Sequence, residues 1–503
     1  MPRRSDGTPG PGGTAGPTSG PTGGPTSGPT GGPTSGPTGG PTSGPTGGPT
    51  SGPTGGPTSG PTTGPTSTPT ARATENPSPT PTPVTTPTPI PTPVPISHVV
   101  VIIQENRSFD NLFQGFPGAN TASSGLDSTG QVVNLVERDL SLPWDVFHTH
   151  GTFETEYDNG KLDGFDQAKV ENLGGKQYPG SNFAYSYVNH GQIQPYLDMA
   201  QGFALSDNTF QSNSGPSFPA HLLMIAGYSD WAAENPNKIP WGCDGGAKES
   251  VRVVDPSSGK ENASVRPCFD TSQIPLTLAD ELDAANLSWR YYAPQEKAPT
   301  NYGRNWSAFD AIASVRYGPD WSNVINPETQ VLTDIAAGNL ANVTWVVPSA
   351  ANSDHDGFDK KTGPSWVASI VNAISTSQFW PSTTILVIWD DWGGWYDHVP
   401  PQQLDALGLG FRVPLIAISP RAKTNYVSHV QYESASILAY IEHQFGLAPM
   451  AAADSRAGDL SDMFLPPGQN AKHGLKRPHI RQTYSTAEVL RAAREHPFEP
   501  DDD

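Results

Sequence analysis

The fold class is indicated by one stretch, SHVVVIIQENRS at residues 97–108. Its first half is a continuous run of β-branched residues, which predicts a strand buried on both faces of a sheet. The run then gives way to polar side chains that have no role in a core. In open α/β sheets, ligands bind just beyond the carboxyl ends of the strands. Glu105 and Asn106 are therefore candidates for holding a metal ion or a phosphate group, and the alternative is a strand that ends in a solvated turn.

Similar apolar runs further along the chain repeat this pattern. Strands are predicted at residues 342–348, 383–389 and 413–419, and helices at residues 364–375 and 432–445, the last closed by Gly446. Strands that alternate with helical segments predict an α/β fold with a central, mostly parallel sheet flanked by helices.

The strand at residues 383–389 ends in two adjacent carboxylates, Asp390 and Asp391. Such a pair repels itself unless a cation or a raised pKa relieves it. Together with Glu105 it offers three oxygen ligands at strand ends, which suits a hard divalent ion. The alternative is a solvated acidic turn in an acidic protein.

Ser217 lies in the stretch GPSFPAHLLMIAG at residues 215–227, which predicts a helix with Ser217 as its N-cap and Gly227 at its end. An N-cap serine needs no further function. As a nucleophile, Ser217 would hold its hydroxyl where the helix dipole favours an anion. The sequence has no Gly-x-Ser-x-Gly motif, so activation by a metal is favoured over a Ser-His-Asp triad.

Several histidines lie in segments with loop-like composition. His148 and His150 are two residues apart and share no helix face, but both could reach one site from irregular backbone. His355 follows the strand at 342–348, and His398 lies soon after the aspartate pair. The alternative for any single loop histidine is that it is only solvated.

The first 96 residues contain no Phe, Tyr or Trp and cannot build a core. They repeat a Gly-Pro-Thr-(Ser/Gly) unit and end in a Pro-Thr tract, which predicts a disordered stalk. Three arginines against Asp6 and Glu75 give this segment a net charge of +1, so the remainder carries −21 of the total −20. Such a body should repel nucleic acid and anionic membranes. No apolar run approaches the roughly 18 residues of a membrane span.

The two cysteines, Cys243 and Cys268, have no Cys-x-x-Cys spacing, which argues against a structural zinc site. A disulfide between them is predicted, and two unpaired thiols are the alternative. A disulfide indicates an oxidising compartment. With the stalk it favours an extracellular or cell-surface location, although the sequence shows no signal peptide ahead of the repeat.

Four separate motifs resemble the signature set of the bacterial phosphoesterase family, which includes the non-specific phospholipases C and the AcpA-type acid phosphatases. In the family's order they are ENRSFD at 105–110, GPSxP at 215–219, SDH at 353–355 and WDDxGGxYDHVxP at 389–401. The resemblance implies an alkaline-phosphatase-like fold. It divides the chain into the stalk at 1–96, a catalytic domain at 97–470 with a loop-rich insertion at about 236–330, and a tail at 471–503.

The resemblance also implies a set of site residues. The metal ligands would be Glu105, Asn106, Ser217, Asp390 and Asp391, around one divalent ion (Ca²⁺, Mg²⁺ or Mn²⁺). Ser217 would also be the nucleophile, His355 would contact the phosphate and protonate the leaving oxygen, and His148, which matches a further family histidine, would be a third catalytic residue. His150 and His398 are additional candidates.

Two departures from the family pattern are visible. The pair Asp390-Asp391 stands where the family more often has Asp-Glu, which leaves a ligand role intact. No histidine lies near WRYY at 289–292, where the acid phosphatase type has one, so one phosphate contact is missing. The segment WRYY itself fits either a short strand or a wall of the site.

The sequence therefore predicts a metal-dependent phosphoric ester hydrolase that acts through a phosphoserine on Ser217. Histidines that are cationic in mild acid predict an optimum at or below neutral pH. The substrate would be a phosphate ester, either a monoester or a phospholipid diester; the sequence favours neither and gives no oligomeric state. A sulfatase would need a modified cysteine or serine in a motif that is absent here. A catalytically inactive surface protein that only binds its ligand is the alternative from another class.

Overall fold

The computed structural model describes residues 95–177, 179–294, 304–357, 361–466, 469 and 477–495. The predicted stalk lies outside these residues except for Pro95 and Ile96, so it stays a prediction. Among the described helices, none combines the length and the apolar character that spanning a bilayer requires.

The strands, in chain order, are β1 (His98–Gln104), β2 (Ser124–Leu126), β3 (Val132–Asn134), β4 (Val136–Arg138), β5 (Trp144–Val146), β6 (Val170–Asn172), β7 (Ser186–Val188), β8 (Ala204–Ser206), β9 (Thr209–Phe210), β10 (Val251–Asp255), β11 (Lys260–Val265), β12 (Trp289–Tyr292), β13 (Val324–Ile325), β14 (Val343–Val346), β15 (Thr383–Trp389), β16 (Leu415–Ile418), β17 (Tyr426–Ser428) and β18 (Tyr432–Glu433).

Eight of these strands form the central sheet, in the order β13-β12-β14-β1-β15-β16-β8-β17. Five neighbouring pairs are parallel, and β16 runs antiparallel to both of its neighbours. The aliphatic residues of β1, from Val99 to Ile103, are all 0% exposed. Because successive side chains of a strand point to opposite faces, both faces of the sheet are covered at β1. The predicted mostly parallel sheet is confirmed.

The helices are α1 (Phe109–Phe113), α2 (His150–Tyr157), α3 (Gln194–Gly202), α4 (Ser217–Ala226), α5 (Leu278–Ala284), α6 (Ala313–Arg316), α7 (Gln330–Ala337), α8 (Gly363–Thr376), α9 (Ser436–Phe445), α10 (Ala452–Arg456) and α11 (Thr486–Glu495). They pack in two groups. Helix α8 contacts α3, α7 and α11, whereas α4 contacts α5 and α9, and α9 contacts α10. Together with the strands they bury one large apolar core.

The predicted elements agree with the observed ones to within a few residues. Strand β15 has the predicted bounds, and the αL residues Gly227 and Gly446 end α4 and α9, with φ of 60° and 69°. Ser217 is the first residue of α4 and not its N-cap, a position that Pro216 occupies in an extended conformation. The N-cap prediction for Ser217 is therefore wrong by one residue, and its hydroxyl makes no capping hydrogen bond.

The interval 236–330 contributes two strands to the central sheet: β13 lies at its edge, and β12 lies between β13 and β14. The segment WRYY is thus a strand. The rest of the interval is irregular apart from the β10–β11 hairpin and short helices. Cys243 and Cys268 form a disulfide with an S–S distance of 1.97 Å, which confirms the predicted pair.

A second and smaller apolar cluster lies beside the main core, built from the chain between α1 and α3 and from residues that follow β15. Its members include Val146, Phe153, Trp392 and Tyr396. This cluster joins β5 and α2 to the loop that follows β15. It therefore fixes the segment that carries His148 against the carboxyl edge of the central sheet.

Candidate active site

The site begins where two neighbouring parallel strands end together. Strand β1 pairs with β15 in a register that places Gln104 opposite Trp389, so the next residues of both strands emerge side by side. The backbone N–H of Asn106 donates to Asp390 Oδ1 at 2.9 Å. The N–H of Arg107 donates to the Asp391 carbonyl, also at 2.9 Å. The parallel pairing thus brings the two predicted acidic motifs into contact.

Ser217 reaches the same edge from the start of α4. Its Oγ donates a hydrogen bond to Asp391 Oδ2 at 3.0 Å. Ser217 and both aspartates are 0% exposed. The hydroxyl therefore lies inside the carboxylate cluster and on the same side of the sheet as the aspartate pair.

His221 joins the cluster one helical turn after Ser217. Its Nε2 lies 3.2 Å from Glu105 Oε1 and 3.5 Å from Asp390 Oδ2. The three residues bring ligand atoms within 4.8 Å of one another, close enough to hold an ion. Sequence reasoning missed His221, although its spacing of four from Ser217 places both on one helix face.

The pKa values of Asp390 and Asp391 are shifted in opposite directions. Burial raises the pKa of Asp391 well above its usual value, and the adjacent charge of Asp390 raises it further. Burial would also raise the pKa of Asp390. That effect is outweighed by the hydrogen bond and positive charge of His221, by Glu105 and by the Asn106 N–H, which together lower the pKa. The two carboxylates thus repel each other, and a proton or a bound cation would relieve that repulsion.

Asn106 is held in an unusual conformation. Its φ is 62°, in the left-handed region, and its side chain is 2% exposed. The amide Nδ2 lies 2.6 Å from His148 Nε2 and 3.4 Å from Asp391 Oδ2. The amide Oδ1 has no hydrogen-bond partner in the described part of the chain. A buried carbonyl oxygen without a partner is costly, so it marks a place where a ligand would be stabilising.

His355 lies near His148, with 6.1 Å between their ring centroids. Its Nδ1 donates to the Asp356 carbonyl at 2.9 Å, and its ring stacks on Trp306. Its Nε2 lies 3.8 Å from Asp145 Oδ2. The structure therefore places His355 beside the cluster, with Asp145 as an acidic neighbour that sequence reasoning did not identify.

Arg107 fixes the loop that carries His355. Its guanidinium donates to the Asp354 carbonyl from Nε (3.0 Å) and Nη2 (2.6 Å), and Nη2 lies 3.1 Å from Asp356 Oδ1. Arg107 directly follows Asn106, so one turn at the end of β1 holds both sides of the site. This role of Arg107 was not identified from the sequence, because an arginine in a polar stretch after a strand is typical of a solvated turn.

The structure does not bring His150 and His398 into this cluster. His150 begins α2, and its Nδ1 lies 3.0 Å from Ser214 Oγ. His398 Nδ1 lies 2.5 Å from Asp110 Oδ2. Asp110, Asp397 and His398 could geometrically hold an ion, but Arg412 already pairs with Asp397 at 2.8 Å. That second group is an ion-pair network around an arginine.

The donor set of the first cluster fits a hard divalent cation. Asn106 Oδ1 lacks a hydrogen bond within the described residues, and the contact of Asp390 Oδ2 with His221 Nε2 is long, at 3.5 Å. Glu105, Asp390 and Asp391 place three buried carboxylates together. Even a protonated His221 would offset only part of their negative charge. Carboxylate, amide and hydroxyl oxygens are the ligands that Ca²⁺, Mg²⁺ and Mn²⁺ prefer.

Comparison with known proteins gives one consistent result. Residues 96–448 match the Phosphoesterase family. The chain is 26% identical over 428 residues to "Hemolytic phospholipase C" of Pseudomonas aeruginosa, an alignment that covers 73% of this chain and 56% of the relative. It is 24% identical over 448 residues to "Phospholipase C A" of Mycobacterium tuberculosis, covering 76% of this chain and 80% of the relative. The chain thus spans little more than half the length of the Pseudomonas relative.

Similar solved structures include a protein in the alkaline phosphatase superfamily from Vibrio parahaemolyticus. The identity is 10% and the TM-score 0.33, over 80% of this chain and 85% of that one.

Proposed function

Because the chain belongs to the Phosphoesterase family, we propose that it hydrolyses phosphoric esters with one divalent metal ion and with Ser217 as the nucleophile. One observation carries this proposal: the hydroxyl of Ser217 lies inside a buried carboxylate cluster and is hydrogen-bonded to Asp391. A serine that only began a helix would have no reason to contact that cluster.

The residues that would hold the ion are Glu105, Asn106, Ser217, Asp390 and Asp391. When bound, a divalent ion would lower the pKa of the serine hydroxyl and offset the charge of the phosphoryl oxygens. The oxygen-rich set suits Ca²⁺, Mg²⁺ or Mn²⁺. The buried setting matters because electrostatic interactions strengthen where water is excluded.

The chain's own residues account for the proton transfers. The hydroxyl proton of Ser217 passes to Asp391 Oδ2, its hydrogen-bond acceptor, as Oγ bonds to phosphorus. The bond from phosphorus to the leaving oxygen breaks, and His355 donates a proton to that oxygen. Water then attacks the phosphoserine and gives a proton to His355, the bond from phosphorus to Oγ breaks, and Oγ takes its proton back from Asp391 Oδ2. Arg107 keeps His355 in place by holding the neighbouring backbone.

The substrate class is proposed from the relatives. Both Pseudomonas and Mycobacterium proteins are named phospholipases C, which supports a phospholipid diester as a substrate of this chain. The site itself supports phosphoric esters in general. The proposed nucleophile and the proposed metal ligands all act on the phosphoryl group, and none of them selects the alcohol part of the ester. A panel of an aryl phosphate, a choline phosphodiester and phosphatidylcholine, with each metal added back after chelation, separates the substrate classes.

The test of the nucleophile is Ser217→Ala. We expect hydrolysis of the preferred substrate to fall by at least about 10³-fold, because the covalent step loses its nucleophile. Metal content should largely persist, since the carboxylates remain. Ser214→Ala is the matched control: Ser214 is a buried serine three residues earlier that contacts His150 and not the aspartates. Retention of more than a tenth of wild-type activity by Ser217→Ala would refute the proposal.

We also propose that the protein works outside the reducing cytosol. The disulfide between Cys243 and Cys268 supports this, because such bonds persist in oxidising compartments.

A further inference from the structure

We propose that His148 is a positioning residue that orients the amide of Asn106, so that Asn106 Oδ1 is left available to the metal ion. The inference deepens the proposed function and rests on it, because it assigns how one ligand of that ion is held. It assigns His148 a partner among the metal ligands, the amide of Asn106.

The first step is the tautomer of His148. Its Nδ1 lies 2.8 Å from the carbonyl oxygen of Val146. A carbonyl oxygen only accepts hydrogen bonds, so Nδ1 carries the hydrogen of this contact. On a neutral imidazole the other nitrogen is then an acceptor. The backbone of β5 therefore sets Nε2 as the accepting atom of His148.

The second step is the orientation of the amide. Asn106 Nδ2 lies 2.6 Å from His148 Nε2 and 3.4 Å from Asp391 Oδ2. Both neighbours accept, so the NH₂ group must face them. A flipped amide would place Oδ1 against two acceptors and bury its NH₂ elsewhere. His148 is the closer of the two, and its Nε2 lies 4.0 Å from the same Asp391 oxygen.

The third step concerns the rotation of the Asn106 side chain, which the backbone contacts of Asn106 do not set. The backbone of Asn106 is already fixed by its N–H bond to Asp390 and by a φ of 62°. Its backbone oxygen lies so close to Gly393 that a Cβ there would be 2.3 Å away. The remaining freedom is the side-chain torsion, and the contact with His148 removes it.

His148 is itself held firmly. It is 0% exposed, and its ring packs edge-on against Trp392 with 6.1 Å between centroids. Groups that position a metal ligand are worth roughly 10- to 100-fold in metal affinity when removed. The expected consequence of losing His148 is therefore weaker binding of the ion, measurable without any substrate.

The experiment measures the affinity of the full chain for Mn²⁺ by calorimetric titration and by equilibrium dialysis. His148→Leu and His148→Met remove the accepting nitrogen, and we expect about 10- to 100-fold weaker binding for both. His148→Gln should stay within about 3-fold of wild type, because its amide can accept from Asn106 and donate to Val146. His150→Leu is the matched control and should bind as wild type does.

A double-mutant cycle tests whether His148 acts through Asn106. In an Asn106→Ala background, His148→Leu should cause no further loss of Mn²⁺ affinity, because the oriented ligand is gone. Circular dichroism of each variant confirms folding, and His148→Met replaces His148→Leu if the latter does not fold. Wild-type affinity in His148→Leu and His148→Met, or a full additional loss in the Asn106→Ala background, overturns the inference.

The inference and the proposed function fail in different ways. If the wild-type chain binds neither Mn²⁺ nor Ca²⁺, the metal-dependent function is refuted and the inference with it. If the wild type binds Mn²⁺ and hydrolyses esters while His148→Leu binds equally tightly, only the inference is refuted.

Discussion

At the residue scale, the site depends on a close approach between two backbone segments. Gly393 follows the aspartate pair with a φ of 62°, and its N–H donates to Asp391 Oδ1 at 2.7 Å. A Cβ at this position would lie 2.3 Å from the Asn106 carbonyl oxygen. Only glycine satisfies both the left-handed conformation and the contact.

Replacing Gly393 with Ala should therefore both destabilise the protein and weaken Mn²⁺ binding. The conformation alone costs about 1–3 kcal/mol, and displacement of Asn106 adds to it. The control is Gly130→Ala, which has a φ of 78° but no atom within 4 Å of the added Cβ. Urea unfolding of both variants should show a larger loss for Gly393→Ala, and equal losses would contradict the steric argument.

Glu328 provides a prediction about pH and stability. Burial raises the pKa of Glu328 to about 7, despite hydrogen bonds with Ser349 and the backbone. An acid with a raised pKa in the folded state contributes stability that is present below the unfolded value near 4.5. That contribution is lost as the pH rises through about 7. The loss amounts to about 3 kcal/mol at most.

The variant Glu328→Gln should remove this pH dependence. Relative to wild type, its free energy of unfolding should improve between pH 5 and pH 8, as measured by urea titration at both values. Glu137→Gln, at an exposed position, is the control and should change nothing. A pH-independent difference between Glu328→Gln and wild type would show that Glu328 does not titrate as expected.

Much of the candidate site could be predicted from the residues themselves. Polar side chains directly after apolar strands, at 105–106 and 390–391, indicated a shared edge, and the structure places them in contact. Residues such as His221 and Asp145 were missed because their roles arise from packing between distant segments. His148 and His150, predicted as candidates for one site, contact Asn106 and Ser214 respectively, on either side of Thr149, which caps α2.

At the element scale, the sequence indicates the strands more reliably than their order. A continuous aliphatic run is enough to predict β1 and β15, since both are buried on both faces. The antiparallel direction of β16 and the edge position of β13 depend on how long connections return to the sheet. No local pattern encodes those returns, so the interval 236–330 reads as an insertion although it supplies two strands.

The turn after β1 is the element on which the two halves of the site depend. Arg107 lies in this turn, is 1% exposed and pairs with Asp356. Replacing it with Met leaves that carboxylate buried without its partner, which should cost about 3–5 kcal/mol. Hydrolysis should fall as well, because the loop that carries His355 loses its anchor.

Chemical denaturation and steady-state kinetics of Arg107→Met check this prediction. Arg252→Met is the comparison, because Arg252 pairs with Glu261 at the surface and should contribute less than about 1 kcal/mol. Similar losses in the two variants would mean that the buried pair adds nothing beyond an exposed one.

At the scale of the whole molecule, the irregular interval before β12 is held by a covalent link. The disulfide closes a separation of 25 residues that contains the β10–β11 hairpin. Such a link lowers the entropy of the unfolded chain by an amount equivalent to about 3 kcal/mol.

Cys243→Ser with Cys268→Ser should therefore lower the free energy of unfolding by about 3 kcal/mol, with little change in hydrolysis well below the melting temperature. Dithiothreitol should destabilise the wild type to a similar extent and leave the double variant unaffected. If the reductant lowers the stability of both proteins equally, the effect does not arise from this bond.

The shared register of β1 and β15 fixes the positions of the site residues that follow the two strands. One residue of strand spans about 3.3 Å and reverses which face a side chain points to. Inserting or deleting a single residue within either strand would therefore shift Glu105 and Asn106 relative to the Asp390-Asp391 pair, even if the sheet itself reformed. Loops elsewhere can lengthen freely, but these two strands can change only in composition, and protein engineering of this scaffold should leave their lengths untouched.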